Sequence, residues 1–242
     1  MDFKRLKQRL LSEPAIIGAL ILASGGVWAF CEIADEVLEG DSHEIDKRLV
    51  LAMRNADDLT DPIGPKWFEE MMRDFTALGG VAVVTMAGVT GVVFLWVLDR
   101  RQQALLLLAA VVGGFLLSFG MKAAFDRPRP DLTPHGSYVY TRSFPSGHAM
   151  AATCIYLSLG AILAELVRPR PLKVFLVVGA ILLTVAVGIS RVYLGVHWPT
   201  DVLAGWAAGG AWALGCWSVA RLLHQGKIVI ETDEPPEAAP HG

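Results

Sequence analysis

Six stretches of this chain contain no Asp, Glu, Lys or Arg: 14–31, 75–98, 102–121, 149–164, 174–190 and 202–220. Each approaches or reaches the roughly 20 residues that a helix needs to cross the hydrocarbon core of a bilayer. Lipid offers no hydrogen bonds to a backbone, so a spanning segment must satisfy its own, as a helix does. The fold class that follows is all-α: a polytopic membrane protein with six transmembrane helices. The composition agrees, at 53% hydrophobic, 19% charged and a mean hydropathy of +0.46. It excludes a disordered chain, which needs few apolar residues and a high net charge. The net charge of −3 gives no reason to expect a nucleic-acid partner. Cys31, Cys154 and Cys216 lie in or at the edge of apolar stretches and read as small hydrophobes.

Six crossings put both termini on one side, and Lys and Arg in short loops mark the cytoplasmic side. Lys4, Arg5, Lys7, Arg9, Arg100, Arg101, Arg168, Arg170, Lys173, Arg221 and Lys227 all fall on one face if the N-terminus is cytoplasmic. Five of the remaining cations lie in the long stretch between Asp35 and Asp74, where the rule is weak. The other five, Lys122, Arg127, Arg129, Arg142 and Arg191, lie outside against the bias, and that requires a reason. The first block has a basic start but no convincing small-x-small cleavage site near its end, and at its length it reads as an uncleaved anchor. Residues 35–74 set Ile45, Leu49, Leu51 and Met53 against Asp46, Lys47, Arg48 and Arg54, which predicts one or two extracytoplasmic amphipathic helices broken by Pro62 and Pro65.

Three clusters share that outer side. Lys122 to Pro130 ends the third block, Phe144-Pro-Ser-Gly-His148 opens the fourth, and Ser190 to Asp201 joins the fifth and sixth. Together they hold cations, a hydroxyl, a glycine amide, two imidazoles and a carboxylate. A phosphate ester undergoing displacement spreads charge over its peripheral oxygens. Arg offers a planar fork to those oxygens and Lys a point charge. Ser146 and Gly147 stand where a helix should start, so free amides and the positive dipole end would face an anion. One histidine can attack phosphorus while the other protonates the leaving oxygen. Elementary chemistry allows the two roles to be exchanged. His197 has Asp201 four residues on, an acidic partner that would fix its tautomer, so His197 is taken as nucleophile, Asp201 as its orienter and His148 as general acid.

These clusters resemble the signature of the type-2 phosphatidic acid phosphatase superfamily, which includes membrane lipid phosphatases, bacterial acid phosphatases and vanadium haloperoxidases. Lys122 with Arg129-Pro130 matches the first motif, Pro145 to His148 the second, and Ser190, Arg191, His197 and Asp201 the third, over about residues 75–222. The resemblance implies a metal-independent hydrolase of phosphoric monoesters or diphosphates acting on lipid phosphates. It implies a phosphohistidine on His197, with Lys122, Arg129, Ser146, Gly147 and Arg191 holding the phosphoryl oxygens and no cofactor. The expected localisation is the plasma membrane, with the active site periplasmic or extracellular. Phosphatidic acid, phosphatidylglycerol phosphate, undecaprenyl diphosphate and lipid A phosphate all qualify as substrates, because the motifs read the phosphate and not the tail. A phosphotransferase would share every catalytic residue, whereas the six spans count against a haloperoxidase.

The chain then divides into 1–74 (anchor and outer segment), 75–222 (phosphatase core) and 223–242 (disordered cytoplasmic tail). Several residues attract simpler readings. Arg127 and Arg142 fall outside the motif positions and are expected on the surface or against headgroups. Asp126 could pair with an arginine. Ser190 is expected to orient Arg191 or cap a helix, and Trp198 to join an interfacial aromatic belt with Trp28, Trp67 and Trp96. His43, His135, His224 and His241 are expected to face solvent.

Overall fold

The computed structural model describes residues 13–131 and 142–231, with side chains to residue 222. Among these residues, helix α1 spans Pro14–Glu39, α2 His43–Leu51, α3 Lys66–Leu78, α4 Val81–Val97, α5 Arg101–Ala124, α6 Gly147–Leu166, α7 Arg170–Tyr193 and α8 Pro199–Glu231. Between α2 and α3, strands β1 (Arg54–Asn55) and β2 (Asp58–Pro62) pair antiparallel, with Asn55 opposite Asp58. Lys4, Arg5, Lys7, Arg9, His135 and His241 lie outside the described residues, as do the side chains of His224 and Lys227.

Five helices (α1, α5, α6, α7 and the Pro199–Leu222 part of α8) are long and apolar enough to span a bilayer. The second apolar block is not one straight helix. It runs through α3 and α4, which bend by 50° and make a sixth span if counted together. The bend falls at Gly79-Gly80, and packing explains the first glycine. A Cβ on Gly79 would clash with Val187 Cγ1 and lie 3.1 Å from His148 Cβ. Only a bare backbone lets the end of α3 lie against α7 and the start of α6.

The outward surface is apolar. Ile21, Leu22, Trp28, Phe119, Phe175 and Leu182 are all exposed. Such a surface suits lipid and not water. Inside, α6 lies between α7 and α8, while α1 packs along α8. Close approach of α6 and α8 depends on Gly205 and Gly209. A Cβ on Gly205 would stand 2.8 Å from the carbonyl oxygen of Ser146, just before α6, and one on Gly209 would stand 2.8 Å from that of Met150 within it. This is the small-residue spacing by which membrane helices pack without a hydrophobic driving force.

The C-terminal ends of α5 and α7 therefore meet the N-terminal ends of α6 and α8. The segment between α1 and α3 closes over that end. Arg54 donates to the Tyr193 carbonyl at 2.7 Å, and the Tyr193 hydroxyl donates to the Ile63 carbonyl at 2.7 Å. The inward face of α2 is not the apolar one that its pattern suggests: Asp46 and Val50 are buried, while Ile45 and Leu49 are exposed. At the other end, Arg221 bridges Glu13 at 3.3 Å and Glu165 at 3.6 Å. The last helix runs to Glu231, past residue 222 where the apolar core pattern ends.

Overpacking a tight contact costs about 1–3 kcal/mol. Gly205→Leu should therefore lower the thermal unfolding midpoint in detergent. Gly25→Leu, which meets nothing within 4 Å, should leave it unchanged.

Candidate active site

Every sequence-predicted site residue lies at this one end of the bundle. Lys122, in the last turn of α5, rests against the start of α6: a Cβ on Gly147 would be 3.3 Å from Lys122 Cε and 3.8 Å from its Nζ. Lys122 Nζ donates to the Arg142 carbonyl at 3.2 Å, and Arg129 Nη2 reaches the same oxygen at 3.5 Å. Two of the three predicted phosphate-binding cations thus converge on one carbonyl. The third, Arg191, is 6% exposed. Its Nη1 donates to Thr76 Oγ1 at 2.8 Å, and its buried Nε has no hydrogen-bond partner among the described residues. His148 follows Gly147 in the first turn of α6, beside Gly79, within electrostatic reach of Arg191, Lys122 and Arg129.

Ser146 caps α6 as its position predicts, its side chain accepting from the Ala149 amide at 3.5 Å. Its own amide donates to the Asp201 carbonyl at 2.9 Å, which ties the start of α6 to the start of α8.

His197 sits between α7 and α8 and is 1% exposed. Arg129 Nη1 lies 3.0 Å from Nε2, and Asp201 Oδ2 lies 3.2 Å from Nδ1. A guanidinium can only donate, so Nε2 carries the lone pair, and the ring proton sits on Nδ1 facing the carboxylate. Burial pushes the imidazole pKa down to about 3, with Arg191 and Arg129 adding to the fall and Asp201 opposing it. The ring is consequently neutral near pH 7.

Asp201 is fully buried. Its Oδ2 also accepts from the Ser143 hydroxyl and, at 2.9 Å, from the Trp198 amide. Its Oδ1 accepts from Arg127 Nη1 at 2.7 Å. Arg127 is therefore not a surface or headgroup residue, because its side chain is 10% exposed and is paired to Asp201 and Asp46. Trp198 is likewise not in an interfacial belt. It is 5% exposed, and its indole donates to the Pro128 carbonyl at 3.0 Å. Ser190 neither orients Arg191 nor caps a helix, since its hydroxyl donates to the Val187 carbonyl at 2.7 Å. Arg142 is exposed and pairs with Asp126 at 3.0 Å. His43 is exposed, with its ring edge-on to Trp198.

Five residues that contact the site were not singled out by the motifs: Asp46, Thr76, Ser143, Thr200 and, in this role, Arg127. Arg127 stands two residues before Arg129 in a repeated Arg-Pro pair, a usable signal. Asp46 and Thr76 lie too far away in sequence to betray their partners. Among the described residues, no three His, Cys, Asp or Glu side chains are grouped as metal ligands would be.

The cluster sets Lys122, Arg129 and Arg191 around a neutral imidazole whose Nε2 lone pair accepts from Arg129. That combination suits attack on a phosphoryl group. A model of the PAP2 superfamily matches residues 103–224. Phosphatidylglycerophosphatase B of Bacillus subtilis (strain 168) is 35% identical over 148 residues, 59% of this chain and 70% of that protein. An undecaprenyl-diphosphatase of Sulfolobus acidocaldarius is 43% identical over 67 residues, 28% of each chain. The crystal structure of a transmembrane PAP2-type phosphatidylglycerolphosphate phosphatase from Bacillus subtilis superposes with a TM-score of 0.62 at 27% identity. It covers 90% of this chain and 98% of that one. The matched segment carries Lys122, Arg129, the Pro145 to His148 cluster and the His197–Asp201 pair, and the chain belongs to the PAP2 superfamily.

Proposed function

We propose that this chain is an integral membrane phosphatase that hydrolyses lipid phosphate monoesters or prenyl diphosphates through a phosphohistidine on His197, at the outer face of the membrane. The observation that carries the reading is the state of His197: neutral, Nδ1–H toward Asp201, and Nε2 offering its lone pair beside Arg129. The names of the two relatives and of the superposed phosphatase favour a lipid-linked phosphate or diphosphate as substrate.

In the proposed reaction, phosphoryl binding draws Arg129 Nη1 from Nε2 onto a phosphoryl oxygen. Lys122, Arg191, the Ser146 hydroxyl and the Gly147 amide take up the other oxygens. Nε2 attacks phosphorus, a P–N bond forms, and the P–O bond to the leaving group breaks. His148, which takes up a proton together with the bound phosphoryl dianion, gives it to the departing oxygen. A water then attacks phosphorus, His148 recovers a proton from it, and the P–N bond breaks to release inorganic phosphate. The protein's own cations neutralise the developing charge, so no metal is required.

Charge distribution favours an outer site. Arg100, Arg101, Arg168, Arg170, Lys173 and Arg221 belong to turns and helix ends opposite the cluster, and such cations mark the cytoplasmic side. The cluster would lie at headgroup depth, which lets a lipid present its phosphate while its tail stays in the bilayer.

The direct test is phosphate release from a panel of purified lipid phosphates and diphosphates in detergent with EDTA. Wild type should release free phosphate undiminished by the chelator, and His197→Ala should lose roughly 10⁴-fold in kcat. Transfer of the phosphate to an acceptor, without free release, would indicate a phosphotransferase, and full turnover by His197→Ala would remove the nucleophile. A second expectation concerns pH. Arg129 depresses the His197 pKa, so Arg129→Gln should raise it. The acidic limb of kcat/KM should then move to higher pH, with a raised KM from the lost phosphate contact. A limb that stays in place or moves to lower pH would contradict this assignment of the Arg129–His197 contact.

A further inference from the structure

Arg127 holds two carboxylates at once. Its Nη1 donates to Asp201 Oδ1 at 2.7 Å and its Nη2 to Asp46 Oδ2 at 2.6 Å. The guanidinium also lies over the Trp198 ring, 5.7 Å from its centroid. Three segments meet here: α2 supplies Asp46, the stretch after α5 supplies Arg127, and α8 supplies Asp201. Asp46 does more than pair. Its Oδ1 accepts the Thr200 amide at 3.0 Å and its Oδ2 the Thr200 hydroxyl at 2.5 Å. A carboxylate from the outer helix thus caps the first turn of the helix that carries Asp201.

Both carboxylates are fully buried, and a buried charge persists only when paired and hydrogen-bonded. One guanidinium between two carboxylates leaves a net charge of −1 behind His197 Nδ1. Asp201 alone with Arg127 would leave none. That remaining charge matters when the imidazole becomes positive, as it does when Nε2 bonds to phosphorus. The fork geometry matters as well. Held by Arg127 through Oδ1, the Asp201 carboxylate keeps Oδ2 directed at the ring.

We propose that Asp46 and Arg127 are positioning residues for phosphoryl transfer, and that helix α2 completes the catalytic apparatus. Arg127 sets the plane of Asp201, and Asp46 both fixes Arg127 and preserves the negative charge behind the nucleophile. This inference rests on His197 being that nucleophile. Neither residue contacts the phosphate cradle, so their removal should slow the chemical step and spare binding.

The test uses the full chain in detergent with the lipid phosphate that wild type hydrolyses fastest in the panel above. Asp46→Asn should lower kcat by about 10- to 100-fold, the size expected from a small misplacement of a reacting group. KM should stay within about twofold. Arg127→Gln should lose at least as much, and the double variant should be no worse than Arg127→Gln alone, because both act through one carboxylate. Asp46→Glu, which keeps the charge, should recover most of the loss. Should Asp46→Asn fail to fold, Arg127→Lys retains a cation that cannot fork two carboxylates, and should show the same loss of kcat with an unchanged melting midpoint. Wild-type kcat in these variants, a loss confined to KM, multiplying losses, or equal failure of Asp46→Glu and Asp46→Asn would each overturn the proposal. Absence of phosphate release by wild type would instead defeat the functional reading beneath it.

Discussion

The architecture at the candidate-site end of the bundle depends on one buried carboxylate. Asp201 accepts from Arg127, Ser143, the Trp198 amide and the His197 ring, and its backbone carbonyl accepts from Ser146. A fully buried carboxylate with fewer partners would take up a proton and lose its charge. Satisfying it draws the stretch after α5, the entry to α6 and the start of α8 to one place. The same contacts hold His197 Nδ1 against Asp201 and leave Nε2 facing Arg129.

The helix bundle makes that convergence possible by removing side chains where backbones must touch. Gly205 and Gly209 bring α8 against α6, which sets the Ser146 amide on the Asp201 carbonyl. Gly147 admits Lys122 beside the cradle amides, and Gly79 admits the first turn of α6, with His148, beside α3. Helix packing and positioning of the candidate site are thus served by the same few residues. The segment between α1 and α3 adds a second layer: Arg54, Tyr193 and Asp46 fasten α2 and the hairpin onto the ends of α7 and α8.

Where the structure departs from the pattern, the cause is desolvation or packing at long range. Arg127 reads as a surface cation because sequence shows no partner within reach, yet Asp46 stands 81 residues away and pairs with it. Helix α2 looks apolar on the side of Ile45 and Leu49. Those residues face outward, and the helix instead turns Asp46 inward, where a guanidinium and a helix start await it. Trp198, placed in a headgroup belt by the usual rule, is buried because its indole has a carbonyl to satisfy it at Pro128.

The sequence by itself determined the membrane class, because six charge-free runs of about bilayer-spanning length read together as membrane helices. It also determined the chemical inventory of the site, because Lys122, Arg129, the Pro145 to His148 cluster, Arg191, His197 and Asp201 stand at fixed local spacings beside helix ends. Only the tertiary structure decided how the second apolar block is broken, since Gly79 is explained by Val187 and His148 on other helices. It alone revealed that Arg127 and Asp46 stand behind the His197–Asp201 pair. Those contacts join residues far apart in the chain, and their energy comes from burial, which local spacing does not record.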